Sequence, residues 1–124
     1  MDYLSELRHQ GFHQADDQPD AEGRVEFNAE LFQGSADEVT IQVYAVDQEA
    51  LEREFMPVLE TLLPQIEVMV DALGEIDAKL AQIILYQERL GLHFWSRGAN
   101  NEFTAVYAQT GDGWIFQGFG EIFA

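Results

Sequence analysis

The chain of 124 residues contains no cysteine. This absence excludes a disulfide framework and any zinc site that is built on thiolates. Long hydrophobic runs are missing as well, and the longest purely aliphatic run near the middle, residues 83–85, is far too short to cross a membrane. Residues 1–10 carry acids and one arginine and no apolar run of signal-peptide length. We therefore expect a cytoplasmic protein.

Basic residues are scarce, with 6 Lys and Arg against 23 Asp and Glu and a net charge of −17 at pH 7. A field of this sign repels nucleic acid and anionic membranes, and it attracts basic proteins. The charge is uneven, because residues 1–77 have a net charge of −16 and residues 78–124 a net charge of −1. We predict a basic protein as the partner, and neither nucleic acid nor a membrane. Acidity that serves solubility alone is the alternative.

Apolar residues are plentiful in spite of the charge. Hydrophobic residues make up 47% of the chain and aromatic residues 12%. This composition supplies a core and argues against disorder. The length suits one domain, so residues 1–124 are predicted to form a single domain.

The first 46 residues predict two elements. Residues 1–22 predict a short helix that ends at Gly11 and is followed by a polar loop. Residues 23–46 predict a β-hairpin, because apolar and polar residues alternate in two runs across a short turn that contains Gly34.

The next segment, residues 47–90, predicts a helical pair. Asp47 suits the N-cap of the first helix. Ten apolar residues that follow it fall on a stripe of about 140°: Leu51, Phe55, Val58, Leu59, Leu62, Leu63, Ile66, Met69, Val70 and Leu73. Pro57 and Pro64 project onto the opposite, polar side, which favours one long curved helix or two pieces in line over a clean break.

After Gly74, residues 75–89 predict a second helix, with Gly91 as its stop. Its expected apolar face consists of Ile76, Leu80, Ile83 and Ile84. Residues 91–124 are rich in aromatic and β-branched residues between glycine-containing turns, and they predict the C-terminal strands. The predicted fold class is α+β, with the order ββ-αα-βββ and the helical pair packed on one face of an antiparallel sheet formed by the hairpin and a C-terminal meander.

Five acids of the first long helix form the candidate partner-binding site, since they project within about 100° of one another on a continuous helix. They are Glu49, Glu52, Glu60, Glu67 and Asp71. Each neighbouring pair of like charges costs about 0.2–0.5 kcal/mol, a cost that a basic partner would offset. An ordinary solvated helix face is the alternative. Acids of the hairpin, Glu26, Glu30, Asp37 and Glu38, would extend this patch if they lie beside the helix.

No residue pattern indicates catalysis, so we expect no catalytic site, no cofactor and no metal site. His9 and His13 have an i, i+4 spacing, but Gly11 lies between them and interrupts the helix that a metal site would need. The aromatic residues Trp95, Tyr107 and Trp114 are expected in the core or on a sheet face; an exposed one would be a candidate for an interface.

The order of the elements resembles that of small bacterial domains of uncharacterised families, several of which accompany secreted toxins as immunity proteins. The segments that carry the resemblance are residues 39–44, 73–81, 103–107 and 111–114, and it covers residues 23–124. The resemblance implies an immunity role and brings no functional residues with it.

The sequence is therefore compatible with three functions. The first is an immunity or antitoxin-like inhibitor of a basic toxin or of a nucleic-acid-handling protein. The second is a small enzyme or ligand-binding domain, which requires a pocket between helices and sheet with convergent polar groups. The third is a structural or oligomerisation module, for which a flat apolar patch and a symmetric homodimer would be the sign.

Overall fold

The computed structural model describes residues 2–15, 18–74, 78–96, 101–111 and 113–122. In this part of the chain seven strands form one sheet, and their order in the sheet is their order in the sequence. The strands are β1 (His13–Gln14), β2 (Val25–Leu31), β3 (Val39–Ala45), β4 (Lys79–Tyr86), β5 (Arg89–Ser96), β6 (Asn101–Thr110) and β7 (Gly113–Phe119). Neighbouring strands are antiparallel, except that β3 and β4 are parallel.

The predicted fold class is wrong in two respects. The sheet is mixed rather than antiparallel, and one long helix, not a helical pair, separates β3 from β4, so the order ββ-αα-βββ does not hold. The two differences have a common cause. Parallel neighbours need a crossover connection, and a helix that crosses the sheet provides it.

The N-terminal helix α1 (Tyr3–Gln10) ends where the sequence indicates. The side chain of Asp2 caps its start by accepting a hydrogen bond from the backbone N–H of Ser5 at 2.9 Å. Gly11 has a φ of 72°, and its N–H donates to the carbonyl of Leu7. Tyr3 and Leu7 are buried, so α1 packs one side against the core.

The predicted hairpin is confirmed as β2 and β3. Every second residue of both strands is buried, and Phe27 pairs with Val43 in the middle of the register. The buried side chains define the face of the sheet that the long helix covers. The side chains between them, including Glu26 and Glu30, point to the opposite face.

The long helix, α2, spans residues 48–72 without a break. It consists of α-helix (Gln48–Ala50), a π-helical turn (Leu51–Phe55), α-helix (Met56–Leu62), a 3-10 turn (Leu63–Gln65) and α-helix (Ile66–Ala72). As predicted, Pro57 and Pro64 are exposed and do not break the helix. Each is accommodated locally. The π-helical turn precedes Pro57, with the N–H of Met56 bonded to the carbonyl of Leu51, and the 3-10 turn contains Pro64.

The predicted second helix over residues 75–89 is wrong. Residues 79–86 form β4, residues 87–88 form a turn, and β5 begins at Arg89. Residues 75–77, and with them the start of that predicted helix, lie outside the described residues. Gly91 is no helix stop but a buried residue of β5 that pairs with Ile84.

The helical spacing of the apolar residues in β4 comes from a β-bulge. Leu80 pairs with Phe94 and Gln82 with His93, so Ala81 is an extra residue in β4. An extra residue shifts the alternation of side chains by one, which produces an i, i+3 spacing on one face of a strand.

The core lies between α2 and the sheet. α2 contributes seven buried residues to it: Ala50, Leu51, Phe55, Leu59, Leu62, Leu63 and Ile66. None of them comes from the last six residues of α2, where Met69 and Val70 are only partly buried, as is Leu73 directly after the helix. The core is therefore less completely covered at that end of the helix. In the described part of the chain, no helix combines the length and the apolar composition that crossing a lipid bilayer requires.

Candidate functional site: an acidic helix face and an adjoining apolar groove

The five acids predicted as partner-binding residues all lie exposed on α2. Arg53 is the only basic residue of the helix sequence, and its guanidinium lies 3.1 Å from the Glu49 carboxylate and 3.7 Å from that of Glu54. Glu52 accepts a hydrogen bond from the Gln48 side chain at 3.2 Å. No basic residue follows Arg53 on α2, so Glu60, Glu67 and Asp71 extend a run of negative charge toward its C-terminal end.

The angular alignment predicted for these acids assumed a uniform α-helix. That assumption does not hold through the π-helical turn at 51–55 and the 3-10 turn at 63–65, where the number of residues per turn differs. The acids therefore share the exposed side of α2 rather than one straight line.

Acids of the hairpin divide between two surfaces. Glu26 and Glu30 lie on the sheet face opposite α2, where Glu26 accepts a hydrogen bond from the Tyr44 hydroxyl and Glu30 lies 2.9 Å from His13 Nε2. They do not extend the helix patch. Asp37 lies in the turn of the hairpin. Burial raises the pKa of Tyr3 on α1, and the charges of Glu67 and Asp37 raise it further.

A groove that the sequence did not reveal lies beside the C-terminal part of α2. One wall consists of Val68, Met69, Ala72 and Leu73 from the end of the helix. The other consists of Tyr107, Trp114, Phe116 and Phe119 from β6 and β7. The enclosed volume is about 370 Å³. Val68 is 70% exposed, Phe119 58% and Phe116 43%, so the groove presents apolar side chains directly to solvent.

A second β-bulge aligns the aromatic wall of the groove. Val106 pairs with Gly118 and Tyr107 with Phe116, which leaves Gln117 as an extra residue in β7. Phe116 and Phe119 consequently face the same side, with ring centroids 5.4 Å apart in an edge-to-face arrangement. Phe119 also contacts Phe103 edge-to-face, at 5.6 Å. The wall is thus a packed cluster of rings rather than a set of separate side chains.

The groove carries few polar groups. None of its eight lining residues is charged, and among the described residues the hydroxyl of Tyr107 is buried without a hydrogen-bond partner. This lining lacks the convergent polar groups expected of an enzyme or small-ligand site. It resembles the apolar centre of a protein interface, which is depleted of charge and enriched in aromatic residues.

The surroundings of the groove are electronegative. The last α-helical segment of α2 carries no basic residue in its final turn, and the C-terminal end of a helix bears a partial negative charge. Asp71 is exposed in this turn, one residue before Ala72 of the groove wall. An apolar surface with a negative border therefore selects against an anionic occupant.

A separate polar cluster lies near the turn between β4 and β5. The Tyr86 hydroxyl lies 3.0 Å from a carboxylate oxygen of Asp20 and 3.0 Å from one of Glu22, and the two acceptors share its single proton. The guanidinium of Arg24 lies over the Tyr86 ring at 5.8 Å from the centroid. Burial, then these hydrogen bonds and the two carboxylate charges, raise the pKa of Tyr86 to about 12. Backbone hydrogen bonds, the one from Arg24 first, lower the pKa of Asp20. The cluster ties the loop before β2 to the far end of β4.

The histidines do not converge. His13 lies beside Glu30, and His93 Nδ1 is 2.8 Å from the Thr104 hydroxyl. Within the described ranges no group of three or more His, Asp or Glu side chains could hold a metal ion. Of the two tryptophans, Trp114 lines the groove, whereas Trp95 is exposed and, next to the buried Phe94, points to the opposite face of the sheet.

Sequence reasoning missed the groove because its two walls are about forty residues apart in the chain. One local signal was present: Val68 is an apolar residue outside the predicted apolar stripe of the helix. No family model matches the chain, and neither the curated proteins nor the solved structures contain a significant match.

Proposed function

We propose that this chain is an acidic protein-binding domain that captures a basic protein in the cytoplasm. In its most specific form it is an immunity or antitoxin-like inhibitor of a basic toxin or of a nucleic-acid-handling protein. The observation that carries the proposal is the exposed side of α2, whose sequence holds six acids and one base. Arg53 lies beside Glu49 and Glu54, at the N-terminal end of the helix.

The mechanism has two stages. The negative field first accelerates the encounter with a basic surface, an effect that ranges from about 10-fold to 10³-fold and weakens with added salt. Contacts at the helix then exclude substrate or nucleic acid from the cleft of the partner. The sign of the charge supports a protein partner over nucleic acid, since a polyanion would be repelled.

The experiment is affinity capture from the native host at low and at high salt, followed by measurement of association rates with the captured basic protein. Glu60→Lys with Glu67→Lys reverses two exposed charges of α2. Glu88→Lys with Glu121→Lys produces the same change in net charge at two exposed positions outside the helix.

We expect the α2 double variant to associate about tenfold more slowly at low salt, with a smaller difference at high salt, and the control to associate nearly as fast as the original chain. Equal losses in both variants would show that net charge, and not the helix face, governs the encounter. The absence of any salt-sensitive basic partner would overturn the function itself.

A further inference from the structure

We infer that the groove between α2 and β7 binds apolar anchor side chains of the basic partner, on a segment where Lys or Arg residues flank these anchors. The inference rests on the proposed function and adds the surface and the chemistry of the occupant. The solvent exposure of the apolar side chains in the groove is the first observation that supports this inference. Val68, Phe116 and Phe119 form one solvent-exposed apolar surface. Exposed apolar surfaces of this kind on single chains mark interaction sites.

The negative charges beside the groove indicate which kind of partner it binds. Asp71 and the C-terminal end of α2 border the groove, and Glu67 precedes Val68 in the helix. A cationic flank beside the apolar anchors would face these negative groups, and complementary charge fixes partner and orientation.

A second copy of this chain fits the same surface poorly. In a twofold dimer the same patch faces itself, so Glu67 and Asp71 would approach their counterparts on the other copy. Each chain also carries a net charge of −17, which opposes association of two copies. The electrostatics therefore favour a partner of opposite charge.

Trp114 gives the groove a spectroscopic reporter. It is one of two tryptophans, and Trp95→Phe removes the other, which lies on the opposite sheet face. In this background, the probe is a synthetic amphipathic peptide of leucine and lysine. One control peptide replaces leucine with serine and keeps the charge, and a second replaces lysine with glutamate and keeps the apolar side.

We expect the leucine–lysine peptide to shift the Trp114 emission saturably, with a Kd at least about tenfold lower than that of either control peptide, which corresponds to about 1.4 kcal/mol. Phe119→Ser should raise this Kd about tenfold, because aromatic anchors at the centre of an interface carry much of its energy. Ile115→Ser is the matched control. Ile115 lies on the same strand and is 46% exposed, but its pairing with Ala108 places it on the opposite face.

A second variant pair tests the groove from the helix side. Val68→Lys introduces a positive charge at the groove and should weaken binding of the leucine–lysine peptide. Val46→Lys introduces the same charge at a position that is 51% exposed and does not line the groove, and it should leave Kd nearly unchanged.

The outcomes separate the two proposals. Equal Kd values for the leucine–lysine and serine–lysine peptides, or equal effects of Phe119→Ser and Ile115→Ser, would overturn the groove and leave the acidic helix face standing. Equal binding of the leucine–glutamate peptide would overturn the preference for a basic occupant. A dimer in sedimentation velocity that Phe119→Ser dissociates would also overturn the inference, since a second copy would then occupy the groove.

Discussion

Leu80 and Ile83 both enter the core from β4 although they are three residues apart, because Ala81 bulges out of the strand between them. In a regular strand an odd spacing would place them on opposite faces. The extra residue shifts the alternation of side chains by one position, so that Ile83 also points to the core. Ile83 pairs there with Ile41 of β3 in the parallel register. Gln117 has the same effect in β7, where it places Phe116 and Phe119 on one side.

Deletion of Ala81 should therefore be tolerated. Without it, Leu80 adjoins Gln82 and still faces the core in a regular strand. Deletion of Ile84 is the matched control, because it moves either Leu85 or Ile83 to the wrong face. In urea denaturation we expect deletion of Ala81 to lower the free energy of unfolding by about 1 kcal/mol or less. Deletion of Ile84 should lower it by several kcal/mol, as large disruptions of a core do. Similar losses for both would contradict the assignment of the bulge to Ala81.

The bulge also explains why this part of the fold could not be read from the sequence. Leu80, Ile83 and Ile84 have the spacing of a helix face, and that pattern is shared by a buried strand with one extra residue. The pairing of Gln82 with His93 distinguishes the bulged strand from a helix, and strand pairing depends on tertiary structure that the local sequence does not contain. The parallel contact between β3 and β4 cannot be predicted for the same reason, because the sequence pattern predicts a second helix where β4 lies.

Other elements were predictable because their signals are local. The alternation in β2 and β3 needs no distant contact to be recognised, and the chain turns where expected at Gly11. The exposed positions of Pro57 and Pro64 follow from the phase of the apolar stripe in α2. The groove requires α2 to cross the sheet and end beside β7, so no window of the sequence contains it. The role of the acidic residues on α2 stays a prediction.

The buried hydroxyl of Tyr107 should reduce the stability of the free protein. Among the described residues it has no hydrogen-bond partner, and an unsatisfied buried polar group costs about 1–3 kcal/mol. Tyr107→Phe keeps the ring, which packs 5.5 Å from that of Phe116, and removes only the hydroxyl. We expect the free energy of unfolding to rise by about 1 kcal/mol, measured by urea denaturation.

Tyr44→Phe is the matched comparison for Tyr107→Phe. The Tyr44 hydroxyl donates to Glu26 at 3.2 Å and accepts from the Gln42 side chain at 3.0 Å. Its removal should lower the free energy of unfolding by about 1 kcal/mol, the usual net value of a hydrogen bond. If both variants lose stability to the same extent, the hydroxyl of Tyr107 has a partner after all.

The tyrosines of the folded protein should ionise at a higher pH than those of the unfolded chain. Burial is the first cause that raises the pKa of each tyrosine above 10.0, at Tyr3, Tyr44, Tyr86 and Tyr107. The folded state then binds more protons than the unfolded state above pH 10, so the stabilisation is complete below pH 10 and is lost as the pH rises through the folded pKa values. For Tyr86 this window extends to about pH 12.

The measurement is the tyrosinate absorbance near 295 nm during an alkaline titration, in buffer and in denaturant. We expect a midpoint near 10 in denaturant and a clearly higher one in buffer. Tyr86→Phe should remove the component with a midpoint of about 12 and leave the components of Tyr3, Tyr44 and Tyr107. A native titration that coincides with the denatured one would show that these hydroxyls are open to solvent.

The parallel contact between β3 and β4 also has a consequence for how the chain folds. On one side of it, β2 and β3 form a hairpin, and on the other, β4 to β7 form a meander, each joined by short connections. Both units need only local contacts, whereas the pairing of Ile41 with Ile83 must close a loop that contains all of α2. Closing this loop carries the larger entropic cost, so we expect it to be the slower step of folding. The two halves of the sheet are therefore expected to form early and to join late, with α2 docking as the step that unites them.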